Sequence, residues 1–138
     1  MTDALTFGDR RKLPARRKGH NQKFSLGAAK KRIVGYLRTG EYPDGTLGEV
    51  FIDLSQNADP TLRGMTNMFA IAISEALQHG CPLDTLVEQY VGTRFEPAGP
   101  VRDHDRLKMC TSLTDLVFRH LAISYLGRDE LGHVKAEA

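Results

Sequence analysis

The stretch that decides the fold is residues 33–54, which read IVGYLRTGEYPDGTLGEVFIDL. Its first part is rich in β-branched and aromatic residues, which favour strands. Pro43 fixes φ for a turn, and Gly45 takes a positive φ without a Cβ clash. Apolar and polar residues then alternate from 49 to 54, as in a half-buried strand. The sequence therefore predicts an antiparallel β-hairpin with strands at about 32–42 and 47–54.

Three helices are predicted after the hairpin. Asp59 is a good N-cap and Pro60 suits the first helical position, so a long helix is expected over about 60–79. A short helix is expected over 82–91, and a second long one over about 105–126. A lone hairpin is barely stable in water, so the apolar faces of the helices must cover it. The predicted fold class is α+β.

The charge is strongly asymmetric along the chain. Residues 1–40 carry a net charge of +9 and residues 41–138 a net charge of −7, which together give the +2 of the whole chain. A length of 138 residues suits one domain. We expect a basic, irregular N-terminal arm over 1–29, a single α+β domain over 30–134 and a frayed tail over 135–138.

Composition excludes several classes of protein. No apolar run approaches the roughly 18 residues of a spanning helix, and the charged N-terminus shows no secretory signal. Cys81 and Cys110 are too few for a disulfide framework or a four-cysteine zinc site, and a structural or incidental thiol is the favoured interpretation of each. A TIM barrel needs about 250 residues, so no barrel enzyme fits. A cytoplasmic protein with no membrane association is expected.

The basic run is the first candidate binding surface. Several Lys and Arg side chains can neutralise phosphates, but few aromatic residues interrupt the run, so no stacking platform is evident. A solvated arm, or a strap lying on an acidic surface of the same molecule or of a symmetry mate, is the favoured alternative. The candidate contacts to a nucleic acid or an acidic partner are Arg10, Arg11, Lys12, Arg16, Arg17, Lys18 and Lys23.

A second set of charged residues lies on the hairpin and on a proline-flanked loop. These side chains are candidates for binding a phosphate or a nucleotide, or for ion pairs that fix the loop against the hairpin, and the ion-pair interpretation is favoured. They are Arg38, Glu41, Glu49, Arg94 and Glu96.

Other clusters are expected to be structural. Thr111, Ser112 and Asp115 have no histidine placed as a base within their motif, so nucleophilic catalysis is not expected there. Met65, Met68 and Phe69 occur at helical spacing and are predicted to be core residues rather than a cofactor site.

Several segments in the same order resemble the C-terminal segment of adenosylcobalamin-dependent (class II) ribonucleotide reductases. That region is similar to the TSCPD domain, named for a five-residue motif that here reads Thr-Ser-Leu-Thr-Asp without the central Cys-Pro. The resemblance extends from about Arg10 to Val134, and the matching segments are Arg10–Gly19, Tyr36–Tyr42, Asp44–Asp53, Thr93–Val101, Thr111–Arg119 and Ala122–Arg128.

The resemblance implies a link to deoxyribonucleotide synthesis but not the chemistry itself. The family's radical cysteine, redox cysteine pair, glutamate and cobalamin site belong to a ten-stranded barrel that 138 residues cannot build. The expectation is a non-catalytic accessory or regulatory domain that binds no cofactor and docks on a reductase or associates with itself as a homo-oligomer. The alternatives are a small nucleic-acid-binding protein using the basic arm, and a nucleotide-sensing module using the hairpin and the 94–96 loop.

Overall fold

The computed structural model describes residues 8–135. These residues form a five-stranded antiparallel sheet and three helices, with strand order β3-β2-β1-β4-β5. The elements are β1 (Asn21–Leu26), β2 (Ile33–Glu41), β3 (Leu47–Leu54), α1 (Pro60–Gln78), α2 (Leu83–Tyr90), β4 (Gly99–Arg102), β5 (Met109–Cys110) and α3 (Leu113–Leu126), with short 3₁₀ turns at Ala29–Lys31 and Asp129–Leu131.

The predicted α+β class and the hairpin are confirmed. The β2–β3 pairing runs from Gly35 opposite Leu54 to Glu41 opposite Leu47. Gly45 has φ +88°, so the turn uses the conformational freedom that glycine provides. Asp44 accepts bonds from the hydroxyl and the N–H of Thr46, and these hold the pKa of Asp44 at about 2.

The structure corrects the prediction in two places. Residues 21–26, expected to be part of an irregular arm, form β1, and the sheet has five strands rather than two. Strand β1 is only six residues long and follows a basic run, which hides its alternation. The third helix begins at Leu113, not near 105, because residues 109–110 pair with β4. The apolar spacing of Leu107 and Cys110 matched a helix although neither lies in one.

The helices cover one face of the sheet and one of its edges. Phe24, Leu37 and Ile52 on the inner face are almost fully buried. At the open edge of β3, the Ser74 hydroxyl of α1 bonds both the N–H and the C=O of Val50, and the Gln78 side chain donates to the Gly48 carbonyl. Helix α1 therefore satisfies the backbone of this edge at Gly48 and Val50 and blocks strand pairing there.

A buried aspartate joins the start of α3 to the loop after α2. Ser112 is the N-cap and accepts a bond from the Asp115 N–H. The Asp115 carboxylate accepts bonds from the N–H groups of Gly92 (2.7 Å) and Thr111 (3.0 Å) and from Arg119 (2.8 Å). Burial raises the pKa of Asp115, but these bonds outweigh it and the pKa is lowered. The carboxylate is thus a structural cross-link.

Replacing this carboxylate is expected to be costly. Asp115→Ala leaves two backbone N–H groups and Arg119 without their acceptor, so we expect the free energy of unfolding to fall by about 3 kcal/mol. Asp129→Ala is the matched control, because Asp129 pairs with Arg106 at 3.4 Å but its side chain is 72% exposed. We expect that variant to lose less than about 0.5 kcal/mol. Urea unfolding measures both, and equal losses would contradict the cross-link.

Candidate functional site

The basic N-terminal segment lies along the hairpin and the end of α1. The Arg11 guanidinium stacks 3.8 Å from the centre of the Tyr42 ring, and its Nη2 pairs with Asp44 at 3.2 Å. Arg17 pairs with Glu49, and Arg10 donates to the Gln78 side chain. The carbonyls of Lys18 and His20 accept bonds from the N–H groups of β2, so this segment extends β1. Residues 10–20 therefore form a strap on the body of the same molecule.

The rest of the basic run points to solvent. These side chains are exposed, and none forms an ion pair within residues 8–135. They are Lys12, Arg16, Lys18 and Lys23. The strap is thus neutralised at Arg11 and Arg17 and leaves a positive excess between and beyond those two positions. Whether the excess binds an acidic partner stays a prediction.

The charged residues of the hairpin and of the 94–96 loop are not joined to one another. Arg38 pairs with Asp53 on the neighbouring strand at 2.6 Å, and Glu49 pairs with Arg17 of the strap. Arg94 and Glu96 are exposed and form no ion pair with the hairpin within the part of the chain that the structure describes. The expected ion pairs between loop and hairpin are therefore not seen there. Nucleotide sensing stays a prediction.

A chain of three histidines, not predicted from the sequence, lies beneath the strap. The Nε2 atoms of His20 and His120 lie 2.7 Å apart, and Nδ1 of His120 lies 2.9 Å from Nε2 of His104. His20 is the last residue of the strap, His104 lies after β4 and His120 is on α3. His20 and His120 are 100 residues apart in the chain, so no local spacing indicates the cluster. The three histidines come together only in the folded structure.

The backbone sets the proton positions along this chain. Nδ1 of His104 accepts bonds from the N–H groups of Arg106 (3.1 Å) and Leu107 (3.2 Å), so its proton must be on Nε2. His104 then donates to Nδ1 of His120, which in turn donates from Nε2 to His20. All three rings are neutral in this arrangement.

At the other end the chain meets a tyrosine and a glutamate. Tyr125 stacks on His20 with ring centres 5.8 Å apart, and its hydroxyl lies 2.7 Å from Oε2 of Glu41 and 2.8 Å from Oγ1 of Thr39. The Thr39 hydroxyl also accepts the His20 N–H at 2.9 Å. The carboxylate of Glu41, a candidate ligand residue, is thus hydrogen-bonded to Tyr125 of α3.

Burial makes these groups resist ionisation. Desolvation lowers the pKa of His120 to about 3, with the neighbouring His104 and His20 adding to the effect. Desolvation also lowers the pKa of His104, and burial raises that of Tyr125. The neutral imidazoles hold the strap to α3, and both nitrogens of the central ring already bond the neighbouring histidines.

The histidines line a polar cavity of about 720 Å³, together with Arg106, Asp105 and Tyr125. Histidine is a common metal ligand, so the geometry of the cluster decides whether it can hold a metal ion. Both nitrogens of His120 are already used by other histidines, and within residues 8–135 no group of three or more His, Cys, Asp or Glu side chains is arranged to hold a metal ion. The arrangement supports a hydrogen-bonded cross-link.

The Cys110 thiol is buried, and the hydroxyls around the start of α3 are hydrogen-bonded to one another. Cys110 is 1% exposed, and burial raises the pKa of its thiol to about 12, so it is not a thiolate at neutral pH. The hydroxyls of Thr93, Ser112 and Thr114 bond one another at 2.7–3.0 Å. The Thr111 hydroxyl donates to the Thr93 carbonyl.

Comparison with known protein families identifies the family of this chain. The model of the TSCPD domain matches residues 9–125. The chain belongs to the TSCPD domain family. The match covers the strap, all five strands and nearly all of α3, so the elements that form the histidine chain and the Asp115 cross-link lie within the family domain.

Curated relatives carry this domain as a small part of a longer protein. The chain is 52% identical over 130 residues to a vitamin B12-dependent ribonucleotide reductase of Bradyrhizobium diazoefficiens, covering 94% of this chain and 10% of the relative. The same description and identity hold for a protein of Agrobacterium fabrum over 126 residues, again 10% of the relative. A Streptomyces avermitilis reductase is 42% identical over 131 residues, 93% of this chain and 13% of the relative.

No solved structure matches the chain significantly. Among the helices of residues 8–135, none is both long enough and apolar enough to cross a membrane.

The histidine chain predicts acid sensitivity. Unfolded His120 takes up a proton near pH 6.5, whereas the folded protein keeps this ring neutral down to about pH 3. Stability is therefore lost as the pH falls through 6.5, by roughly 1.4 kcal/mol per pH unit for each such histidine.

Urea unfolding at pH 7 and pH 5 measures this loss within each variant. We expect His120→Gln to reduce the difference between the two pH values by about 1 kcal/mol or more relative to the unaltered protein. His79→Gln, at a partly exposed histidine beside Glu75 near the end of α1, is the comparison for replacing a histidine outside this chain of three. A His120 variant with the full pH dependence would show that another group causes it.

Proposed function

We propose that this chain is a non-catalytic accessory domain that docks on a class II, vitamin B12-dependent ribonucleotide reductase. The similarity to reductases covers more than nine-tenths of this chain but only about a tenth of the relatives. In those relatives the matching region is covalently attached to the rest of the enzyme. The domain would contact the rest of such a reductase through an exposed surface of its own.

The observation that carries this proposal is the solvent side of α1. Met65, Met68 and Ile71, spaced three residues apart, are 66%, 60% and 55% exposed. The prediction that Met65 and Met68 belong to the core is therefore wrong, although Phe69 does pack against it. Arg63 and Glu75 are the charged residues of this 19-residue helix. A helix that is apolar on its outer side as well as its inner side is usually covered.

An apolar cavity continues this surface. About 570 Å³ of space lies beside α1, bordered by Met65 and by Phe95, which is itself 47% exposed. Methionine side chains are flexible and adapt to a partner's shape. The methionines on α1 and the cavity next to them thus offer a continuous apolar docking surface, which we call the α1 surface: Met65, Met68, Ile71 and Phe95.

The chemistry of the chain supports a non-catalytic role. The thiol of Cys110 is buried and protonated, and the hydroxyls and the carboxylate of the Thr111–Asp115 motif make structural bonds. We attribute the ribonucleotide reduction named for these relatives to the remaining nine-tenths of each protein.

Docking is tested with a vitamin B12-dependent reductase from which the matching region has been deleted. We expect the chain to bind it in biolayer interferometry, and Met68→Asp to weaken binding at least tenfold, because a charge would be buried at the interface. Met109→Asp is the matched control, since Met109 is 54% exposed but lies on β5. Circular dichroism melts establish that both variants fold.

Other outcomes would contradict docking on the reductase. If Met68→Asp binds as well as the unaltered chain, the α1 surface is not the interface. If the chain binds no reductase but light scattering shows a dimer that Met68→Asp dissociates, the surface serves self-association instead.

The non-catalytic part of the proposal has its own test. We expect no ribonucleotide reduction when the isolated chain is supplied with adenosylcobalamin, a dithiol and a ribonucleotide. Turnover above the level of the reagents alone would overturn it, whatever the docking experiment shows.

A further inference from the structure

The face of the sheet that points away from the helices carries two exposed aromatic rings. Tyr36 on β2 is 41% exposed and Phe51 on β3 is 39% exposed. Tyr36 pairs with Asp53 and Arg38 pairs with Phe51, so the two rings are diagonal neighbours on adjacent strands. Such positions lie about 7–8 Å apart, so each ring can meet a different group of one extended ligand.

An arginine enlarges this aromatic surface. The Arg38 guanidinium lies 4.7 Å from the centre of the Phe51 ring and is held there by its bond to Asp53. Guanidinium planes and aromatic rings are both surfaces on which nucleic-acid bases stack. The Arg38 guanidinium therefore lies over the Phe51 ring and presents its outer face for stacking, with Tyr36 beside this Phe51–Arg38 surface.

This face carries more positive than negative charge. The acidic side chains on β3, Glu49 and Asp53, are each paired with an arginine. Lys23 lies opposite Tyr36 across the β1–β2 pair and is exposed. Arg102 lies opposite Ser25 on the far side of β1 and is also exposed. Neither forms an ion pair in the part of the chain that the structure describes.

More basic residues border both ends of the face. The strap brings Arg16 and Lys18 to the end of the sheet where β1 begins, and the turn between β1 and β2 brings Lys30 and Lys31 to the other end. All four are exposed. The basic run itself contains few aromatic residues, so its sequence shows no stacking platform. Here the rings come from β2 and β3, which strand pairing places beside the basic segment.

We infer that this outer sheet face binds a single-stranded nucleic acid. Bases stack on Tyr36 and on the Phe51–Arg38 surface, and phosphates contact Lys23, Arg102 and the basic residues at the two ends. Exposed rings next to unpaired cations match the combination of flat bases and phosphates in a single strand. A duplex keeps its base faces stacked inside, so it meets only the charges. This role is independent of docking through the α1 surface.

Fluorescence anisotropy with fluorescein-labelled oligothymidylate and oligouridylate of 15 nucleotides tests the inference. We expect tighter binding of the single strands than of a 15-base-pair duplex, and an affinity that falls as salt rises from 50 to 200 mM. Binding of either single strand supports the inference, and comparing the two shows whether the 2′-hydroxyl and the thymine methyl group together matter.

The variants separate stacking from charge. We expect Tyr36→Ala and Phe51→Ala each to weaken single-strand binding about tenfold, the usual effect of removing one stacking ring. Tyr36→Phe should keep most of the affinity. Lys23→Ala should reduce the slope of the salt dependence by about one. Asn67→Ala, at an exposed residue of α1 that belongs to neither proposed surface, should bind as the unaltered chain does.

Three results would overturn the inference. The first is no binding of either single strand at 50 mM salt. The second is equal affinity for duplex and single strand. The third is unchanged affinity in both ring variants when their melting temperatures show that they are folded. Because Met68 and Tyr36 lie on different surfaces, a failure here leaves the docking result intact, and a failure of docking leaves this one intact.

Discussion

The pairing of residues 18–26 with β2 is the constraint on which the rest of the structure depends. It converts half of a basic segment into a strand and places His20 opposite Thr39, where α3 reaches it through Tyr125 and His120. The same pairing brings Lys23 beside Tyr36 on the opposite face of the sheet. A change that loosened it would release the strap, uncover the neutral histidines and separate the basic side chains from the aromatic rings.

Local signals explain which parts of this fold were predictable. The hairpin, α1 and α2 each have start and stop residues within their own sequence, such as Asp59 with Pro60, and Gly45 in the turn. Strands β1, β4 and β5 have only two to six residues each, and β1 joins β4 through residues that are far apart in the chain, such as Leu26 and Val101. Their existence depends on tertiary pairing, which periodicity does not report. The histidine chain was missed for the same reason, since its members share no spacing.

The two proposed surfaces lie on different layers of the molecule. The α1 surface is the solvent side of a helix whose other side covers the inner face and the edge of β3. The aromatic and basic face is on the outer side of the sheet. A partner on the methionines of α1 therefore leaves Tyr36 and Phe51 accessible, so a docked domain can still hold a nucleic acid. The histidine chain, between the strap and α3, contributes to neither surface directly; it fixes the relative position of the elements that carry the basic residues.

The departure from the family motif is itself explained by the structure. Ser112 is the N-cap of α3, and Asp115 joins the helix to Gly92 and Thr111. The contacts that begin the helix are therefore made by residues on either side of the central Leu-Thr pair in the Thr-Ser-Leu-Thr-Asp segment. Leu113 and Thr114 occupy the first two helical positions, where Cys and Pro stand in the motif for which the family is named. Proline is accepted there because the first N–H groups of a helix need no partner within it. Leu113 instead packs in the core at 3% exposure, and Thr114 bonds the Thr93 hydroxyl. The helix therefore starts at Ser112 without the Cys-Pro pair, which is expected if the motif serves to begin α3 rather than to supply a reactive thiol.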